Sequence, residues 1–245
     1  MNQWDSLSSY FDTNKNASEI DPGAADNILI AWPSLLKGIR QVQEHGDGLK
    51  ALDFGCGAGS FCFELQKNGY DVVGSDSSPG MVDVARKNVG DTIPVYLGDI
   101  HDVQNLKEQP FDLVTAVMVF QFIENIQEVL SLVSLVTKEG GVLAFAIFNP
   151  DFIGPNSGSE KLFADFDDVE NPRKGNMTPT NGVSIPVFIR REEEYGHILN
   201  LLGFKRIYVE KPAFTEAFLS AYPSGFDTSY PEYLVLVYQK MPQLN

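Results

Sequence analysis

The chain has 245 residues and sets 33 acidic side chains against 18 basic ones, a net charge of −15. Its 43% hydrophobic and 21% charged residues are ordinary for a globular protein, and the length suits one domain with a modest insertion. Arg173-Lys174 and Arg190-Arg191 are only pairs, which argues against a nucleic-acid partner, and no apolar run reaches the length of a membrane span.

Two cysteines, Cys56 and Cys62, fit neither a zinc spacing nor a redox pair and read as small buried hydrophobes. No metal site is expected. The start, Met1-Asn2-Gln3-Trp4-Asp5, has no basic stretch leading into an apolar one, so the expected location is cytoplasmic.

Residues 1–48 form a mixed segment ahead of the main domain, with helical spacing from Ile28 to Val42 and Pro33 near a helix start. From residue 49 strands and helices alternate. Leu49 to Phe54 is a short apolar run entering a glycine loop, and Ser60 to Asn68 suits a helix closed by Gly69. Tyr70 to Gly74 reads as a strand ending in Asp76, and Ser78-Pro79 opens a second helix. Ile93 to Leu97 gives the third strand. Phe111 to Val119 is apolar almost throughout, as expected of a strand buried on both faces.

Asn125 and Glu128 predict a capped helix start, Gly140-Gly141 a break, and Val142 to Phe148 the fifth strand. Residues 149–189 interrupt the rhythm as an insertion rich in Pro, Gly, Asn, Asp and Thr, long enough to suggest a functional loop. A helix from Arg191 to Leu202 follows, then strands Phe204 to Glu210 and Tyr233 to Gln239. The segment between those two strands is short for a parallel crossover, so the last strand is expected to be antiparallel.

The sharpest signal is the run Asp53-Phe54-Gly55-Cys56-Gly57-Ala58-Gly59, between a strand and a helix. Glycines there permit a tight turn and a close ligand approach. A dinucleotide site would want Gly-x-Gly-x-x-Gly, but here the spacing is Gly-x-Gly-x-Gly. Asp53 suits a ligand with an ammonium group or another cation better than a pyrophosphate. Asp76, at the end of the second strand, would accept hydrogen bonds from ribose hydroxyls. Asp99, after the third strand, would accept one from an adenine amino group, with Ile100 over the ring.

The stretch from residue 49 to about 149 resembles the core of the class I S-adenosylmethionine-dependent methyltransferases, in their small-molecule branch. The likeness lies in Leu52 to Gly59, in Gly74-Ser75-Asp76-Ser77-Ser78-Pro79-Gly80-Met81, in Gly98-Asp99-Ile100, and in Phe111 to Val114 with Val119 to Phe122. It implies an α/β Rossmann-like three-layer sandwich on a seven-stranded, mostly parallel sheet of order 3-2-1-4-5-7-6, strand 7 antiparallel. The domain would span 49–245, with the 149–189 insertion covering an acceptor pocket and residues 1–48 a helical lid.

The same resemblance implies the site. Gly55 and Gly57 would pass under the methionyl part of S-adenosylmethionine, with Asp53 near its amino group. Asp76, with Ser77 beside it, would hold the ribose. Met81 and Ile100 would sandwich the adenine, Val117 would face the cofactor through its backbone, and Tyr10 would close over it. Phe120 and Gln121 would meet a small-molecule acceptor. His45, His101 and His197 offer no evident general base, and catalytic residues and oligomeric state are not read from the sequence. Two rivals stay open at this point: a non-catalytic adenosyl-binding module and an NAD-dependent oxidoreductase.

Overall fold

The computed structural model describes residues 3–8, 11, 25–158, 162–168, 173–180 and 182–242. After a short turn at Gln3–Leu7, the helical region Asn27–Ala31 runs into α1 (Trp32–Ile39). Then come β1 (Lys50–Phe54), α2 (Ser60–Lys67), β2 (Asp71–Asp76), α3 (Pro79–Val89), β3 (Val95–Leu97), α4 (Ile100–Val103) and β4 (Phe111–Val117). They are followed by α5 (Ile126–Val136), β5 (Thr137–Phe148), α6 (Pro150–Ile153), β6 (Phe163–Ala164), β7 (Lys174–Thr180) and β8 (Val183–Phe188). The chain closes with α7 (Glu192–Leu201), β9 (Phe204–Glu210), α8 (Glu216–Ala221) and β10 (Tyr233–Lys240).

Seven strands form one sheet of order β3-β2-β1-β4-β5-β10-β9. The pairs from β3 to β5 are parallel, and β10 is antiparallel to both β5 and β9. This is the expected order, with β9 and β10 as the sixth and seventh strands. The reversal follows from the connection, which has room only for the one short helix α8.

Strand residues alternate between two cores, as the period of two requires. Ala51, Leu113, Val142, Ala144, Val235 and Val237 face one side, where α1, α2 and α3 supply apolar partners. Leu52, Val114, Leu143, Phe145, Leu234 and Leu236 face the other, against α5 and α7. Helix α1 packs directly on β5, β9 and β10, so this part of the leading segment shares the main core. A third core lies beneath the insertion and includes Met81, Phe148, Phe152, Phe163, Met177, Ile185 and Val187.

Three local expectations change. Asn125 precedes α5 but its side chain does not cap it; its amide donates to Glu128 at 2.7 Å instead. Strand β5 begins at Thr137, ahead of the expected break, with Gly140 taking a positive φ inside it. The insertion is not simply a loop: β6, β7 and β8 make a small antiparallel sheet. Its inward residues, Met177 against Ile185 and Val187, alternate only over short runs, and this hid the pattern in the sequence.

Candidate functional site

The chain leaves β1 into the glycine loop at the carboxyl edge of the sheet, where open α/β folds bind ligands. Gly55 has φ +69°, and a Cβ there would lie 2.5 Å from Val119. Gly57 has φ +53° with open space where a Cβ would project, so its backbone conformation sets the requirement. The loop is tied to the next strand through Asp76: one carboxylate oxygen accepts from the Gly57 N–H and the other from the Ser78 N–H, each at 2.9 Å.

Asp53 is buried beneath this loop. It accepts from the Thr115 hydroxyl at 2.8 Å and from the Cys62 thiol at 3.4 Å. Burial outweighs these bonds and pushes its carboxyl up to about 6. Asp76 is also raised, again chiefly by burial and against the bonds from Ser78 and Gly57. Both cysteines are buried and free.

A cavity of about 590 Å³ runs along the edge above β3, β2, β1, β4, β5 and β10. Its described wall carries five carboxylates, Asp26, Asp53, Asp76, Asp99 and Glu232, one histidine, His101, and no Lys or Arg. The rest is mainly apolar and aromatic. The amino-terminal turn closes one side. Asp5 accepts from the Ser78 hydroxyl at 2.7 Å and from the Gly80 N–H at 3.1 Å, which sets Trp4 against Phe122 with ring centroids 4.8 Å apart. From the insertion, Leu162, Met177 and Pro179 reach the cavity wall. Among the described residues no cluster could hold a metal ion, and no helix is long and apolar enough to cross a membrane.

Residues 52–145 match a family model described as a methyltransferase domain. Over that stretch, about two fifths of the chain, it is similar to methyltransferase domains. Among similar curated proteins, the malonyl-[acyl-carrier protein] O-methyltransferase of Serratia marcescens is 34% identical over 99 residues, 40% of this chain and 38% of that protein. A ubiquinone biosynthesis O-methyltransferase of Actinobacillus pleuropneumoniae is 31% identical over 137 residues, 53% of this chain and 58% of that protein. The chain thus spans about half the length of the curated relatives it matches. In fold it is similar to an S-adenosylmethionine-dependent methyltransferase from Mesorhizobium loti, with TM-score 0.67, 23% identity, and coverage of 89% of this chain and 100% of that one.

The residues expected at the cofactor fall into two groups. Asp53, Gly55, Gly57, Asp76, Ser77, Met81, Asp99, Ile100 and Val117 all line the one cavity. Asp99 has a structural duty as well, since it caps α4 by accepting from the His101 N–H at 2.8 Å. Tyr10 lies outside the described residues.

Phe120 and Gln121, expected at the acceptor, are not on the wall. Phe120 is fully buried, 5.0 Å from the Phe145 ring, and Gln121 is buried with its amide against the Met118 sulfur. Their neighbours Val119, Phe122 and Ile123 face the cavity instead. Arg190 secures this stretch by donating to the carbonyls of Ile123 and Glu124 at 2.8 and 2.6 Å. Met118, just after β4, holds φ +57°, an uncommon conformation for a non-glycine residue and one that clusters at ligand sites.

Sequence reasoning missed Trp4, Asp26, Asn27, Trp32, Phe148, Phe226, Glu232 and Tyr233, all of which line the cavity. The one signal available for the last pair was an acidic residue at the entry to an apolar strand, Glu232 before Tyr233.

Proposed function

We propose that the protein transfers the methyl group of S-adenosylmethionine to an oxygen or nitrogen nucleophile of a small cytoplasmic metabolite. Asp53, Asp76 and Asp99 around the glycine loop, with no Lys or Arg on the described wall, carry this reading. A dinucleotide's pyrophosphate would meet like charge there, whereas a ligand with sulfonium and ammonium groups meets carboxylates. The same charge disfavours a nucleic-acid acceptor.

Bound S-adenosylmethionine supplies a methyl already activated on a sulfonium. Asp53 would take its ammonium group. The raised, buried carboxyl suits this role, because a cation restores what burial removes. Asp76 would accept from the ribose hydroxyls while keeping the loop in place, and Met81 and Ile100 would flank the adenine. The insertion, through Leu162, Met177 and Pro179, would cover the acceptor and exclude water.

The test is calorimetry with S-adenosylhomocysteine and NAD. The first should bind and the second should be far weaker; the reverse order would overturn the reading. The same measurement checks the role of Asp53. Its folded-state carboxyl lies above the unfolded value, so it favours the fold at low pH, and that contribution is lost as pH rises through about 6. Asp53→Asn is therefore expected to raise the melting temperature of the ligand-free protein at neutral pH and to weaken S-adenosylhomocysteine binding. Effects of the same sign on both would count against the assignment.

Catalysis by placement needs the reacting atoms about 3 Å apart and aligned, and no dedicated base. His45 and His197 are exposed and away from the cavity; His101 lines it and has Glu128 3.7 Å from Nε2. Replacing each singly by Ala is expected to cost less than about 10²-fold in kcat, the lower end for a positioned base. A loss of about a thousandfold in one of them, with cofactor and acceptor still bound, would instead mark that histidine as the base.

A further inference from the structure

At its β10 end the cavity holds a polar group that the cofactor does not need. Glu232 is 4% exposed and Asp26 is 6% exposed, and both line the wall. Glu232 is fixed by its backbone: its carbonyl accepts from the Asn149 N–H at 2.7 Å, and the Asn149 side chain donates to the carbonyl of Pro231 at 2.8 Å. Its Oε2 is buried without a hydrogen-bond partner among the described residues. The same holds for Oδ1 of Asn27, a residue that also lies on the cavity wall. Burial, the neighbouring Asp26 charge and a hydrogen bond shared with the Asp26 carboxyl push the Glu232 carboxyl well above the ordinary range.

Two buried oxygens without a partner, Glu232 Oε2 and Asn27 Oδ1, beside a carboxyl pair that shares one proton, are costly unless something supplies further donors. That something is not the cofactor's amino group. Strands β1 and β10 are separated by β4 and β5, three strand spacings or about 14 Å. Asp53, at the end of β1, serves that group. An anion would be repelled. A hydroxyl brings a single donor and would leave an acceptor bare. An ammonium brings three donors and a positive charge. The same cavity wall offers Phe148, Phe226, Tyr233, Leu162 and Met177 as apolar surface.

We propose that Glu232, with Asp26 and Asn27, docks a protonated amine carried by the methyl acceptor, so that the acceptor is a small apolar amine. This rests on the methyl-transfer reading and narrows it to a substrate class.

The experiment measures binding of phenylalkylamines of graded chain length, each against the matching alcohol, to the protein saturated with S-adenosylhomocysteine. Charge-assisted hydrogen bonds are the stronger kind. The best amine should bind at least about tenfold more tightly than its alcohol, a difference of roughly 1.4 kcal/mol. Glu232→Gln should abolish that preference and Asp26→Asn should reduce it, while S-adenosylhomocysteine affinity is unchanged in both. Alcohols binding as well as amines, no amine binding at any chain length, or a preference that survives both substitutions would each overturn the proposal. If the wild-type protein fails to bind S-adenosylhomocysteine, the methyl-transfer reading falls instead. The amine series on the ligand-free protein and on Glu232→Gln then decides the docking site by itself.

Discussion

Replacing Asp76 by Ala is expected to weaken S-adenosylhomocysteine binding by at least about tenfold, and by about a hundredfold if two ribose hydrogen bonds are lost, since bonds to a charged acceptor are worth roughly 1.5–3 kcal/mol each. The side chain does two things. It would accept from the ligand, and it accepts from the Gly57 and Ser78 N–H groups that set the loop and the start of α3. Asp76→Asn separates the two roles, because it keeps an oxygen for one backbone donor but loses the charge. If the charge toward the ligand matters, Asn should bind weakly while melting close to the wild type. Calorimetry showing unchanged affinity in the Ala variant would refute the assignment of this residue.

Phe145→Ala should produce the largest loss of stability. The ring is fully buried on β5. It packs 5.0 Å from Phe120, 5.2 Å from Tyr195 and nearly parallel to Tyr238 at 6.1 Å. Removing a buried Phe costs about 3–5 kcal/mol. In a chain of this length each kcal/mol lowers the melting temperature by about 2–4 °C, so a fall of about 6–20 °C is expected. Function should suffer as well. Phe120 anchors the turn whose neighbours Val119, Phe122 and Ile123 face the cavity, and loosening it should raise KM for the acceptor more than for the cofactor. A drop of only a degree or two would mean that the cluster repacks around the gap.

The parts of the fold that could be read from the chain are those whose burial is complete. β4 and β5 lie in the middle of the sheet with both faces covered, so their runs are almost unbroken in apolar residues. The glycine loop was legible because its backbone conformation restricts residue type, as at Gly55 and Gly57. The insertion was not, because β7, with Lys174, Gly175, Asn176 and Pro179, packs only part of one face and carries no steady alternation.

The site divided in the same way. Asp53, Asp76 and Asp99 each follow directly from a strand end that the pattern located. Phe120 and Gln121 marked the right turn, but it is a single helical turn, and spacing alone does not say which of its faces, Val119, Phe122 and Ile123 or Phe120 and Gln121, meets the cavity. Asp26 and Glu232 come from opposite ends of the chain and meet only through the sheet order. Trp4 reaches the cavity because Asp5 fastens its turn to α3, a tertiary contact that no local pattern encodes.

The reversed direction of β10 bears on how the proposed choice of acceptor could change. In the parallel strands it is the outgoing end that meets the cavity, and the ends of β1 to β3 carry the residues proposed for the cofactor. Strand β10 instead presents its incoming end, so residues 211–232 deliver Phe226 and Glu232 to the opposite limit of the cavity. That stretch is a single excursion held between two strands, mostly exposed apart from residues such as Phe218 and Glu232, and it carries none of the residues proposed for the cofactor. Grafting it from a relative is expected to alter the proposed docking at Glu232 while leaving the residues proposed for the cofactor in place, a division of labour that lets one end of the cavity diversify under little constraint from the other.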